Sequence, residues 1–251
     1  MALSRTALAT AALTTAVLAA SLLAPTAAAH AGPAGRADVG SPAMGYLLGA
    51  GSGLAHSADS TARCTAGFLL RVNGERQVLA SGQCAGPAGG AVLSLVAHAG
   101  LNIGTVTTNG LLPDAGARPL DAAIFAPRPG IYSGREFLTR EGRVYGLVTS
   151  VASEGALVGS RYLRSGKGTE LTEGVVTDSR LIDGQRHFCG DGPTMAAGDL
   201  GGPVVLRGPR AGYFAAAGMA TTVGDDGRMC FLPMGTLLTR FNAELGRPGS
   251  D

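Results

Sequence analysis

Apolar positions in this chain come in short runs, and most runs are followed by glycine, proline, asparagine or aspartate. Gly67-Phe68-Leu69-Leu70-Arg71-Val72 is the first clear run, followed by Gln77-Val78-Leu79-Ala80 and by Ala91 to Val96. Ile103 to Thr107, Ala122 to Phe125, Val144 to Val151 and Glu170 to Leu181 continue the series, and Pro203 to Leu206, Tyr213 to Val223 and Met229 to Leu232 close it. Short β-prone runs bounded by turn formers predict strands. The punctuation is Asn73-Gly74, Asn109-Gly110, Pro129-Gly130, Asp183-Gly184 and Asp226-Gly227. Asn-Gly and Asp-Gly tolerate the positive φ that tight hairpins need. Many short strands with such turns read as a β-barrel or a sandwich pair. One segment has the helical period instead: Gly235 to Leu245 carries Leu237, Leu238, Phe241 and Leu245 three and four apart.

The first 31 residues break the pattern. Arg5 is their only charged side chain, an Ala/Leu/Val-rich run extends from about Ala7 to Leu23, Pro25 ends it, and Ala29-His30-Ala31 has an A-x-A form. A charge, a short apolar core and small residues make a secretory signal. The run is too short and too threonine-interrupted to serve comfortably as a membrane anchor. Residues 32–62 are rich in Gly, Ala and Ser and read as a loose N-terminal arm or a short pro-segment, residues 63–246 as the β domain, and 247–251 as a tail. No later stretch approaches about 18 uninterrupted apolar residues, so no membrane association is expected once the signal is removed.

Composition narrows the classes further. Forty glycines in 251 residues without a Gly-X-Y period exclude collagen and fit many turns. Twenty basic against 18 acidic residues give a net charge of +2 with no basic stripe, so nucleic acid is not expected as a partner. The four cysteines, Cys64, Cys84, Cys189 and Cys230, all follow the signal, and an even count in an exported chain argues for disulfides. Three pairings are possible from these positions. No C-x-x-C spacing occurs, and neither a metal nor a cofactor is expected. His187, near Cys189 and Asp191, comes nearest to a metal set; His56 and His98 read as surface or capping residues.

Three motifs bear on chemistry. Gly198-Asp199-Leu200-Gly201-Gly202-Pro203-Val204 resembles the Gly-Asp-Ser-Gly-Gly-Pro nucleophile loop of chymotrypsin-type serine peptidases. Val78-Leu79-Ala80-Ser81-Gly82-Gln83-Cys84 resembles their Leu-Thr-Ala-Gly-His-Cys loop, and Asp121-Ala122-Ala123-Ile124 the segment of their orienting aspartate. The order Gln83, Asp121, Leu200 repeats the His, Asp, Ser order of that type. Cys64-Thr65-Ala66-Gly67-Phe68, Ile103-Gly104-Thr105-Val106, Gly142-Arg143 with Gly146, and Gly218-Met219 through Cys230 are similar to segments of the bacterial streptogrisin-like branch. The resemblance covers roughly residues 62–245.

What the resemblance implies is specific. The fold is all-β: two six-stranded antiparallel barrels and then a C-terminal helix. The disulfides are Cys64–Cys84 and Cys189–Cys230. The backbone of Gly198 and Leu200 outlines an oxyanion hole, and Asp199 forms an ion pair with Arg143. Two of the three triad positions are replaced: Leu200 has no oxygen to attack a carbonyl and Gln83 no useful pKa, although its NH₂ can still donate to a carboxylate. No functional catalytic residue is therefore expected. Val223 and the long Cys189–Leu200 stretch, with Pro193 and Met195, narrow the cleft. The expectation is a secreted, monomeric, catalytically inactive homologue that binds a peptide or protein in the former cleft. The alternatives are an active secreted serine endopeptidase with a displaced triad and a structural secreted scaffold.

Overall fold

The computed structural model describes residues 46–56, 59–95, 100–112 and 118–246. The signal, the first part of the arm, His98 and the tail lie outside the described residues, as does the side chain of His56. In chain order the first elements are β1 (Tyr46–Ala50), β2 (Gly53–His56), β3 (Asp59–Thr65), β4 (Leu69–Val72), β5 (Glu75–Ala80), α1 (Gly82–Ala85), β6 (Ala91–Ser94), β7 (Asn102–Asn109) and β8 (Ala123–Pro127). There follow β9 (Ile131–Leu138), β10 (Val144–Val151), a 3₁₀ turn (Glu154–Ala156), β11 (Arg161–Gly166), β12 (Glu170–Ile182) and β13 (Gln185–Gly190). β14 (Pro203–Arg207), β15 (Tyr213–Val223), β16 (Met229–Pro233), α2 (Met234–Phe241) and β17 (Ala243–Leu245) end the fold.

Two sheets result. The first has eight strands in the order β17-β4-β5-β8-β7-β6-β2-β3, with every pairing antiparallel. In the second, β11-β12-β13-β16-β15-β14 closes into a six-stranded antiparallel barrel. β10 joins β15 in parallel, β9 pairs with β10, and β1 lies parallel to β9, which extends the second sheet to nine strands. The expected all-β class is what the chain adopts; of the two six-stranded barrels expected, one closes with six strands and the other sheet has eight.

Each sheet has its own core. Leu54, Val78, Ile103 and Phe125 fill the first, and Tyr162, Val176, Phe188 and Phe231 fill the second. A third cluster joins them, bringing Phe68, Leu79 and Leu120 against Phe137, Met219, Leu232 and Leu237. Each fully buried aliphatic or aromatic side chain of this kind contributes roughly 1.5–3 kcal/mol. The hairpins form where the glycine pairs stand: Asn73 and Gly74 have φ of 52° and 84°, Asp183 and Gly184 50° and 73°. Positive φ at both central residues twists the turn to match its strands.

Three expectations need correction. The arm drawn over 32–62 already carries β structure: Leu48 of β1 and Leu54 and Ala55 of β2 are buried in the cores, so those strands begin well before residue 63. The helix drawn to Leu245 stops at Phe241, because Asn242 turns left-handed (φ 47°, ψ 51°) and its N–H caps Leu238 and Thr239. The next three residues become β17 and pair with β4, Ala243 opposite Val72 and Leu245 opposite Leu70. The helix is therefore not the last element.

Both disulfides join the expected partners. Cys64–Cys84 ties β3 to α1 with 6.1 Å between Cα atoms; Cys189–Cys230 joins directly opposed residues of β13 and β16, 4.1 Å apart. The first closes a loop of 20 residues. Replacing Cys64 and Cys84 together by alanine should lower stability by about 3 kcal/mol through loop-closure entropy. Guanidinium unfolding measures this, and an unchanged midpoint would rule out that contribution.

Candidate active-site cleft

One wall of the cleft is the turn from β5 into α1. Ser81 precedes the helix, and its hydroxyl turns away from the helix N-terminus to donate to Asp121 Oδ1 at 2.8 Å. The Gln83 backbone N–H donates to the same oxygen at 3.0 Å, and Gln83 Nε2 donates to Oδ2 at 2.8 Å. Asp121, just ahead of β8, therefore receives three donors from the three-residue stretch Ser81–Gln83. Asn109 fastens that stretch from behind, with Nδ2 donating to the carbonyls of Gly82 at 2.9 Å and Gly86 at 2.7 Å. Gly82 must be glycine here: a Cβ would lie 2.7 Å from Asn109 Oδ1 and 3.2 Å from the Ala122 nitrogen. Gln83 and Asp121 thus meet as the sequence pattern implied, amide to carboxylate.

Beside this turn stands the loop Gly198–Gly202, where a Cβ on Gly201 would lie 3.0 Å from the Ser81 nitrogen. Gly198 and Gly201 have φ of 104° and 85°, and a Cβ on Gly201 would come within 2.3 Å of the Thr65 carbonyl oxygen. Thr65 clamps the loop to the first sheet. Its hydroxyl donates to Gly198 O at 2.6 Å, its N–H donates to Leu200 O at 2.9 Å, and its hydroxyl accepts from the Lys167 N–H at 2.9 Å. The Leu200 side chain packs, partly buried, on the first sheet's core, the cluster that includes Cys64 and Cys84.

Asp199 is fully buried beneath this loop. Its Oδ1 accepts from the N–H groups of Gly168 and Thr169 at 2.8 and 2.9 Å, and its Oδ2 from the Thr169 hydroxyl and the Ala196 N–H at 2.7 and 2.9 Å. Its cation is Arg164, 3.4 Å away, not Arg143. Arg143 ends the exposed tip of the β9–β10 hairpin, where its carbonyl accepts from Thr139. A carboxylate with no solvent contact needs a cation from inside the barrel, and Arg164 projects inward from β11 with no exposed side-chain surface. Burial pulls the Arg164 guanidinium below the ordinary arginine pKa, against the opposing pull of Asp199. Arg164 also donates to Thr169 and Thr172. Gly166 leaves room for the pair, since a Cβ there would lie 2.1 Å from Asp199 Oδ1. The signal overlooked in the sequence is Tyr162-Leu163-Arg164-Ser165-Gly166, a lone cation inside a strand.

Between the α1 turn and the β12–β13 hairpin lies a cleft of about 170 Å³, lined by Gln83, Asp121, His187 and Thr222 among others. His187 reaches it from β13, which the strand pattern did not predict. Met195, from the long stretch before Leu200, packs on the core of the second barrel. Val223, at the end of β15, is exposed. Among the described residues no group of three or more His, Cys, Asp or Glu side chains is arranged to hold a metal ion.

The Asp199–Arg164 pair yields a contrast between two arginines. Asp199→Ala leaves a buried guanidinium without its partner and should cost roughly 3–5 kcal/mol. Arg143→Ala, at an exposed turn, should stay within about 0.5 kcal/mol of wild type. Thermal unfolding of both variants decides; a large loss for Arg143→Ala would restore the original pairing.

No protein-family model and no curated protein matches the chain. Solved structures do. Protease A of Thermobifida fusca aligns at 22% identity with a TM-score of 0.58, covering 79% of this chain and 98% of that one. The Nocardiopsis protease aligns at 18% identity and TM-score 0.60, covering 80% and 100%. The Cellulomonas bogoriensis chymotrypsin aligns at 19% identity and TM-score 0.56, covering 80% and 99%. The chain has the double-barrel fold of the bacterial chymotrypsin-like serine proteases.

Proposed function

We propose that the chain is a secreted, catalytically inactive homologue of serine peptidases that binds a peptide or protein in its cleft. The observation that carries this reading is the 2.8 Å hydrogen bond from Gln83 Nε2 to Asp121 Oδ2. The carboxylate that would orient an imidazole holds a primary amide, which cannot take a hydroxyl proton. Leu200 supplies no nucleophile, and its side chain is packed onto the first sheet's core. An orienting carboxylate with neither base nor nucleophile does no chemistry.

Binding is supported by what is kept. The Gly198 loop is held by Thr65 and by the buried Asp199, and the cleft beside Gln83 is open. The solved relatives are named as proteases, so a peptide is the ligand class carried over from them. Two disulfides are compatible with an extracellular destination. One observation favours a second reading, a peptidase with a displaced triad: His187, Thr221 and Asp121 line the same cleft.

The purified protein should neither hydrolyse general protein substrates nor react with a fluorophosphonate. Loss of a triad nucleophile or base costs on the order of 10⁶ in turnover, and losing both adds little, because the two act as a unit. Leu200→Ser or Gln83→His alone should therefore change little, whereas the two together should give slow labelling. Labelling of the wild-type protein at any Ser or Thr, with hydrolysis abolished by mutating that residue, would establish the second reading instead.

A further inference from the structure

The cleft has a chemistry of its own that the replaced triad does not explain. At about 170 Å³ it is smaller than the roughly 300 Å³ at which whole small-molecule sites begin, and it fits one long side chain. Leu120, Ile182 and Leu232 give it apolar walls, while its charged lining residues are Asp121 and Asp183. No arginine or lysine is among the lining residues, in a chain with 20 basic residues and 18 acidic ones.

Two further polar groups belong to the same lining. His187 is only 6% exposed, and its Nδ1 faces the Gln185 carbonyl oxygen at 3.1 Å. A ring nitrogen facing a carbonyl carries the proton, so Nε2 of the neutral ring is left as an acceptor. Burial holds this imidazole below its ordinary pKa, although the Gln185 carbonyl, Asp121 and Asp183 all favour its charged form. Thr221 is 1% exposed, and its Oγ1 makes no hydrogen bond. Buried polar groups are paired as a rule, and unpaired ones in a cleft mark where a ligand's polar atoms belong. Asp121 already receives three donors, so the acceptors offered to a ligand are Asp183, His187 Nε2 and the Thr221 hydroxyl. A ligand for this set brings an apolar stem and several donors at its tip. An arginine side chain has that form, and its planar fork of five donors serves separated acceptors better than an ammonium does.

We propose that the cleft between the α1 turn and the β12–β13 hairpin binds the side chain of an arginine in a peptide partner, its stem along Leu120, Ile182 and Leu232 and its guanidinium toward Asp183 and His187. The inference rests on the peptide-binding reading above.

The test separates the two. Amide resonances of the ¹⁵N-labelled protein are followed during titration with n-butylguanidinium and with its neutral isostere n-butylurea. A capped peptide with one arginine is then compared with the same peptide carrying citrulline. The guanidinium probe should shift Gln83, Asp183, His187 and Thr222, with the urea weaker by about tenfold, and the arginine peptide should bind about tenfold more tightly than its citrulline twin. Asp183→Asn should weaken the guanidinium probe by about fivefold. Asparagine accepts the positive φ of that turn, so the hairpin persists. Glu75→Gln, an equal charge change at the exposed start of β5, should have no effect.

Equal shifts from both small probes, no shift from either, or an unaltered Asp183→Asn would overturn the arginine inference. Peptides binding equally with arginine and citrulline would overturn it while leaving the peptide reading intact. Selective guanidinium binding with no gain from any capped peptide would keep the cation site and remove the peptide reading.

Discussion

The buried carboxylate of Asp199 is the constraint on which the Gly198–Gly202 loop and the segments around it depend. It has no solvent contact, four hydrogen bonds and one guanidinium partner. A charge in that position is tolerated only with this degree of pairing. Its partners come from three places, the strand that carries Arg164, the Gly168–Thr169 turn and the Ala196 backbone, so the carboxylate gathers these segments around the Gly198–Gly202 loop. Gly166 and Gly168 are small because nothing larger fits beside it. The residue that follows it, Leu200, packs on the first sheet's core, so the loop is held from both sides.

Asp121 is the counterpart beside the α1 turn. It is also fully engaged, by Ser81 and twice by Gln83. The Gln83 amide that meets it has no useful proton affinity. The two carboxylates have one effect in common: each gathers donors from neighbouring segments and so stabilises the local backbone.

How much of this was legible in the sequence depends on where polar residues point. Strands such as β8 and β16 are apolar throughout their buried stretch, so they stand out. β11 and β13 do not, because Arg164 and His187 occupy inward positions that read as solvent-facing. Arg164 is made tolerable by Asp199, 35 residues further on, which no local pattern reports. Arg143 follows a glycine in a recognisable motif, whereas Arg164 lies inside a strand with no motif around it. The disulfides and the meeting of Gln83 with Asp121 were legible because the order and neighbours of those residues repeat a known arrangement. The end of α2 was not, since the leucine at position 245 keeps the helical period although Asn242 has already reversed the backbone.

β17 has one further consequence. Its three residues complete the edge of the first sheet by pairing with β4, and the Gly246 N–H then donates to Leu69 O at 2.9 Å. Synthesis runs from the other end. The first sheet's seven earlier strands are finished by residue 127, but its eighth arrives more than a hundred residues later. Until those residues are in place β4 presents an open edge, the kind of surface that pairs with other strands. A chain cut short before Ala243 would keep the whole second barrel and still leave the first sheet incomplete. The last residues made thus decide whether the earliest part of the fold is sealed.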